Sequence, residues 1–524
     1  MCLGHKINLK SHSRRAATLP RCSIFRRLFD SISYALLVRS HKRTALHQSP
    51  ATNGVYQWFH CFILLSVVLG LDGCNGCQQQ IPKPFNIHNI SHGVGAETTV
   101  AVVPTGQQAR NYVIAFMGGA SWAVSPDQGK TWAPHKDSDV GFAWGAPAEM
   151  PGAWSYGVDP TLVTTGRPNQ VAFVSAASGR EVAIALSTDG GVHFGNVHLV
   201  STPTTGSIDP QPTAGVNAAT GEIWVAWTQK PTYRLMVRAL HYDANGTLFF
   251  DTAPTEVNRL PGLSPISPGT EVNLTVAAGT YKGLSHVALA YADKYEDASC
   301  PGPLNLTYYI ADSTDNGQTW QTQKIVHDAS WPQCVTTGNP KPELGYNRDR
   351  PAIAFAGGVA INYYVALTQS SPTGSLVHLY RVSWPFQENS VRDFGTTPPD
   401  DHLRHDQFAP AIAVGYSSAD VNASGRTAMN VMVTWHDTRA DANGGNLRQL
   451  IYGSVTGLGN WTGVVSPATG AANEHVPWVI RGWWGDYEGL AADDVSHRFV
   501  AVWCDNRFDG PPAVWSSVLT PLQN

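Results

Sequence analysis

Ser125-Pro126-Asp127-Gln128-Gly129-Lys130-Thr131-Trp132 returns as Ser313-Thr314-Asp315-Asn316-Gly317-Gln318-Thr319-Trp320, with Ser, Asp, Gly, Thr and Trp in the same register. A looser copy is Ser187-Thr188-Asp189-Gly190-Gly191-Val192-His193-Phe194, and a degenerate one is Tyr242-Asp243-Ala244-Asn245-Gly246-Thr247-Leu248-Phe249. Internal repeats decide the architecture, so they are read first. Each residue type suits a tight β-hairpin. Asp bonds back to nearby backbone N–H groups. Gly takes the positive-φ position that a Cβ resists. Thr and the closing aromatic begin the outgoing strand, where such side chains pack well. A lone Asp-x-Gly hairpin would carry little meaning. Two copies agreeing at spaced positions carry much more.

A quieter repeat runs through residues 96–519. Each unit opens on a polar residue followed by a short apolar strand. The openings are Glu97-Thr98-Thr99, Asp159-Pro160-Thr161, Asp209-Pro210-Gln211-Pro212-Thr213, Glu271-Val272-Asn273, Asp349-Arg350-Pro351, Gln407-Phe408-Ala409-Pro410 and Asp486-Tyr487-Glu488. A second β-branched or aromatic strand follows in each unit, as in Tyr112-Val113-Ile114-Ala115-Phe116 and Ile223-Trp224-Val225-Ala226-Trp227. No segment keeps a helical period. Units spaced by roughly 50–80 residues suit four-stranded blades with loops. The expectation is an all-β protein, a β-propeller of seven four-stranded blades, with six as the alternative because two openings lack a clean hairpin phrase nearby.

The hairpin phrase resembles the Asp box, or BNR repeat, of sialidases and related β-propellers. The resemblance implies that the boxes sit between the outer strands of blades, away from any catalytic centre. It implies six blades, as in sialidases, against the seven openings counted here. It also implies an exported exo-glycosidase acting on sialic acid or related acidic sugars. A non-catalytic cell-surface propeller that binds glycans or protein partners is the alternative, because fold alone does not carry activity.

Composition agrees with an all-β chain. Among 524 residues there are 49 Gly, 35 Pro and 17 Trp, and only 14% are charged. The first 54 residues hold ten of the 35 basic residues and one of the 39 acidic ones. The rest therefore carries 25 basic against 38 acidic residues, a net charge of −13, which argues against a nucleic-acid partner. The apolar run Phe62–Leu71 has signal-peptide length and is short for a membrane span. It leads into Leu71-Asp72-Gly73-Cys74, which looks like a lipobox apart from Asp72. Residues 1–95 are read as a basic extension, export signal and linker, and 96–524 as one propeller domain. The expected location is the cell surface, periplasm or extracellular space, with Cys74 as the residue a lipid would carry. Membrane contact would come only through that signal or anchor, and a monomer is expected. Cys300 and Cys334 bracket one hairpin phrase, where an exported protein can form a disulfide.

In a propeller the inner strands converge on one axis, so a site is assembled from equivalent positions in different blades. Trp435-His436-Asp437-Thr438-Arg439 and Trp503-Cys504-Asp505-Asn506-Arg507 each end a second strand. With Arg350, they supply three arginines from separate blades, suited to clamping a carboxylate in bidentate fashion. An Asp and an Arg two residues apart can equally pair with each other at a strand end. Asp437, Asp505 and Trp484 are further candidate sugar contacts, the last by stacking its ring on a pyranose. Arg350-Pro351 is reminiscent of the sialidase Arg-Ile-Pro element with the middle residue missing. The resemblance further implies a Tyr nucleophile helped by a carboxylate, plus an acid/base Asp. Tyr487, Glu488 and Asp159 are the nominees, with Glu271 and Asp209 as substitutes. Neighbours on a strand face opposite ways, so Tyr487 and Glu488 would need a bulge to meet one ligand. No cofactor is expected. Calcium would suit the repeated acidic openings, but no motif marks a site for it.

Overall fold

The structure is a computed structural model. It describes residues 84–90, 96–117, 121–135, 156–177, 181–202, 204–206, 211–229, 234–257, 274–295, 304–331, 350–357, 360–371, 374–396, 407–417, 428–437, 450–457, 460–465, 487–505 and 513–519.

Alternating short strands and turns resolve into seven antiparallel sheets among these residues. Blade one is Ala96–Pro104, Arg110–Met117, Ser121–Ser125 and Ala133–His135; blade two is Tyr156–Thr164, Val171–Ala177, Glu181–Ser187 and Gly195–Leu199. Blade three is Thr213–Asn217, Glu222–Gln229, Arg234–Tyr242 and Leu248–Phe250, with Thr255–Glu256 added beside its third strand. Blade four is Leu274–Tyr281, Leu284–Tyr295, Leu304–Ser313 and Gln321–Trp331; blade five is Ala352–Ala356, Asn362–Ser371, Gly374–Ser383 and Val391–Thr396. Blade six is Gln407–Ser417, Ala428–Asp437, Leu450–Gly457 and Asn460–Val465. Blade seven takes Gly489–Asp493, Arg498–Asp505 and Ala513–Leu519 from the C-terminal end and Pro84–Asn89 as its outermost strand. That last strand lies in the stretch read from sequence as linker. Its pairing with Ala513–Leu519 ties the two ends of the propeller together and spares the ring an open seam.

Each inner strand packs on the next, and the seventh packs on the first, so the seven form a closed ring. The core lies between blades. One cluster joins Trp224 and Leu235 of blade three to Leu289 and Tyr291 of blade four. Another joins Tyr112 and Ile114 of blade one to Val500 and Cys504 of blade seven. Second strands are buried on both faces and are accordingly continuous apolar runs, such as Val171–Ala177.

The hairpin phrases join third to fourth strands in blades one, two and four. Their chemistry is the same each time. The Ser125 hydroxyl donates to Asp127 Oδ1 at 2.8 Å and accepts the Gly129 N–H at 2.7 Å. Asp127 also accepts Thr131 N–H at 2.9 Å and Thr131 Oγ1 at 2.7 Å. Ser313, Asp315, Gly317 and Thr319 repeat these bonds, and Ser187, Asp189, Gly191 and His193 do so with histidine in place of threonine. Gly317 has φ +75°, and a Cβ there would lie 3.1 Å from Trp224 of the neighbouring blade. Trp132 and Trp320 pack on the inter-blade cores.

These bonds set an acid limit to stability. Slight burial works against the charged form at Asp127, Asp189 and Asp315, but the hydrogen bonds from Thr131, His193 and Thr319 outweigh it and hold the carboxyls below their ordinary value. A carboxyl depressed in the folded state stabilises above its unfolded pKa, near 3.9, and that contribution is lost as pH falls through the folded value. Thermal midpoints should therefore fall below about pH 4. Asp315→Ala should flatten this acid limb and cost about 1–2 kcal/mol at neutral pH. Melting curves from pH 2 to 7 on both proteins check it.

Candidate functional site

A cavity of about 190 Å³ lies where the inner strands converge, and all seven blades line it. One rung of the sheets, Thr99, Thr161, Thr213, Thr275, Ala352, Ala411 and Gly489, contributes to its wall. These residues pair with Ala115, Val174, Ala226, Ala290, Ala366, Thr434 and Val502 of the second strands. Two residues upstream of the rung stand Glu97, Asp159, Gln211, Arg350, Ala409 and Tyr487. Only Glu97 and Asp159 of the acidic and polar residues that open the units in the sequence stand at this position, at the mouth of the axis; Asp209, Glu271, Asp349, Gln407 and Asp486 come one or two residues earlier in the chain. Glu97, Asp159, Gln211 and Ala409 hold the position with φ of +48°, +54°, +43° and +50°. Such a conformation costs a residue with a Cβ about 1–3 kcal/mol. At Glu97, Asp159 and Ala409 it falls inside the inner strand, at a bulge where the pairing register shifts.

Arg350 and Tyr487 occupy this position and face each other on the cavity wall. The Arg350 guanidinium carbon lies 4.0 Å from the centre of the Tyr487 ring. Arg350 is only 5% exposed, and its Nε and Nη1 have no hydrogen-bond partner among the described residues. The ring face offsets part of the cost of burying the cation. It supplies no acceptor for the N–H groups, and unsatisfied donors of this kind are rare in folded proteins. The Tyr487 hydroxyl donates to the Pro160 carbonyl of blade two at 2.8 Å, which pins the ring across the mouth.

Glu488 also lines the cavity, but its carboxylate is engaged within the protein. The Thr98 hydroxyl of blade one lies 2.7 Å from Oε2. His436 Nε2 of blade six lies 2.6 Å from Oε1, and facing a carboxylate it is the protonated nitrogen. The Cys504 N–H of blade seven lies 3.2 and 3.3 Å from the two oxygens. Threonines stitch other blades in a similar way. Thr161 and Thr275 donate to the carbonyls of Pro212 and Pro351 in the next blade, at 3.2 and 2.9 Å.

Of the residues singled out in the sequence, Arg350, Tyr487 and Glu488 meet at the cavity. Asp159 is 1% exposed and does not line it; its N–H donates to Glu97 Oε2 at 3.0 Å. The motifs bearing Arg439 and Arg507 follow the second strands of blades six and seven, at the ends paired with the starts of the inner strands. Arg439, Arg507, Trp484, Glu271, Asp209, Cys300, Cys334 and Cys74 lie outside the described residues, as do the side chains of Asp437 and Asp505. His436 and Thr98 were missed. The first was read only as a spacer within its motif, and the second only as the start of a strand. Among the described residues no group of three or more His, Cys, Asp or Glu side chains could hold a metal ion. No helix among them is long and apolar enough to cross a membrane.

No family model and no curated protein matches the chain. Solved structures similar to it include a sialidase. That protein, the Trypanosoma rangeli sialidase in complex with the inhibitor DANA, is 11% identical at TM-score 0.37, over 83% of this chain and 60% of the sialidase chain. AofleA from Arthrobotrys oligospora is 11% identical at TM-score 0.37, over 74% of this chain and 90% of its own. Extracellular domains 1–2 of Drosophila Semaphorin 1b are 9% identical at TM-score 0.40, over 85% and 88% of the two chains.

Proposed function

We propose that the chain is an exported β-propeller that holds the carboxylate of an acidic sugar, sialic acid foremost, at the mouth of its axial cavity. One observation carries this reading. Arg350 is a buried cation on the cavity wall whose Nε and Nη1 meet no acceptor among the described residues. A guanidinium is built to take a carboxylate through two parallel bonds. The hydroxyls of Thr99, Thr161, Thr213 and Thr275 lie deeper along the same wall and suit the rest of a saccharide. The export signal read around Phe62–Leu71 supports a glycan as the ligand met outside the cell.

Recognition without turnover is the form favoured by the side chains at the mouth. A tyrosine nucleophile has to give its proton to a carboxylate, whereas the Tyr487 proton goes to the Pro160 carbonyl. Both oxygens of Glu488 are occupied. Hydrolysis would require these bonds to be exchanged on binding. The test is titration calorimetry with N-acetylneuraminic acid and glucuronic acid, run beside turnover of a fluorogenic sialoside. Binding with no turnover is expected. Turnover would establish the glycosidase reading, and the absence of both binding and turnover would overturn the proposal.

A further inference from the structure

Blade five carries a pair of cations without carboxylate partners among the described residues, on residues that take no part in lining the axial cavity. Tyr364 pairs with Arg381, and Arg381 with Arg392, across three neighbouring strands. Residues paired in this way stand in one row on one face of the sheet. Phe394 joins that face. Its ring stacks on Tyr364 at 6.4 Å, with the Arg381 and Arg392 guanidinium carbons 5.7 and 5.0 Å from its centre. It stands two residues after Arg392, so strand alternation alone puts it there, and the bulge follows it. The register shifts between His378 and Tyr380, where Asp393 caps the Gly395 N–H at 2.6 Å and Gly395 has φ +89°.

The row is electrostatically incomplete. Like charges directly opposite across strands repel. Among the described residues no carboxylate pairs with Arg381 or Arg392, and the neighbouring Asp393 is turned to His378 at 3.4 Å. Arg381 Nε is buried with no hydrogen-bond partner. Arg392 is exposed, so the pair is open to solvent on one side. All this stands in a chain whose net charge is −4. Two guanidiniums held by one ring, short of one acceptor and two counter-charges, match the needs of a tetrahedral oxyanion.

We propose that Arg381 and Arg392, spaced by Phe394, form a second anion site that takes a sulfate or phosphate group, free or carried on a saccharide. The site is independent of the axial cavity, and its failure would leave the reading of Arg350 untouched. The experiment is calorimetry at low ionic strength with sodium sulfate and with a sulfated disaccharide, on the full chain. The wild type is expected to bind. Arg392→Gln should weaken binding at least about tenfold, and Arg381→Gln with Arg392→Gln should abolish it. Lys130→Gln, at an exposed cation of blade one outside both sites, should leave it within about twofold. Arg392 is exposed, so Arg392→Glu serves as the decisive variant if the double one does not fold. Tighter binding of the disaccharide would assign the site to a saccharide; equal binding would assign it to the free ion. No binding of either probe by the wild type, or unchanged binding by the arginine variants, would overturn the proposal.

Discussion

Arg350→Met should cost acidic-sugar binding about 30-fold or more, while leaving the protein as stable as before or slightly more so. The two halves of this expectation have different causes. A hydrogen-bonded charge pair in a buried site is worth about 2–5 kcal/mol on truncation of one partner, which sets the loss of affinity. In the unliganded protein Arg350 has no such partner. Its unmet donors cost about 1–3 kcal/mol, and its contact with the Tyr487 ring returns about 1–2. Methionine fills much of the same volume with no charge to desolvate. Replacement of buried charges by apolar side chains is often neutral or stabilising. Arg350→Lys should lie between, because a point charge cannot make the two parallel bonds. Calorimetry and thermal unfolding on the same samples check both halves. A large drop in melting temperature with binding intact would make Arg350 a structural residue and remove the basis for an anion at the axis.

The fold was legible wherever one residue type has one local job. The Ser-x-Asp-x-Gly-x-Thr phrase predicts the hairpin because its bonds span no more than four residues. The strand Pro84–Asn89 was not legible. Its partner is Ala513–Leu519, more than 400 residues away, and nothing local marks an edge strand as the closing one. The site divides along the same line. Arg350 and Tyr487 were reached as candidate carboxylate-clamp and nucleophile residues, and their shared place two residues before the rung was not noticed in the sequence. Which opening side chains turn into the cavity was not readable. Asp159 has the same place on the rung as Tyr487, yet it is buried away from the cavity wall, with a positive φ and its N–H on Glu97. The partners of Glu488 were hidden too, since Thr98 is 390 residues away and His436 is 52. Such contacts exist only once the ring has closed.

Glu488→Ala should be among the most destabilising single changes in the protein, at about 3–5 kcal/mol. The carboxylate is 7% exposed and takes donors from three blades. One of these, blade seven, is the blade that Pro84–Asn89 completes, and blade one is its neighbour in the ring. Removing the acceptor takes one bond each from the His436 imidazole and the Cys504 N–H and leaves the Thr98 hydroxyl only the Val502 carbonyl, 3.1 Å away. Glu488→Gln retains an acceptor oxygen but sets an NH₂ against one of the donors, so it should fall between the wild type and the alanine variant. A catalytic carboxylate would behave in the opposite way. There Glu488→Gln would remove turnover while melting stayed unchanged, because active-site charges contribute to rate rather than to the fold. This bonding has a consequence for the site, since Glu488 directly follows Tyr487. Loosening the carboxylate frees the segment that carries the ring beneath Arg350. Binding at the axis should therefore weaken in Glu488→Ala and recover in part in Glu488→Gln, in step with the melting temperature. Affinity that tracks stability across the two variants would mark Glu488 as the bolt that positions the site. Affinity lost in Glu488→Gln at full stability would return it to the group that touches the ligand.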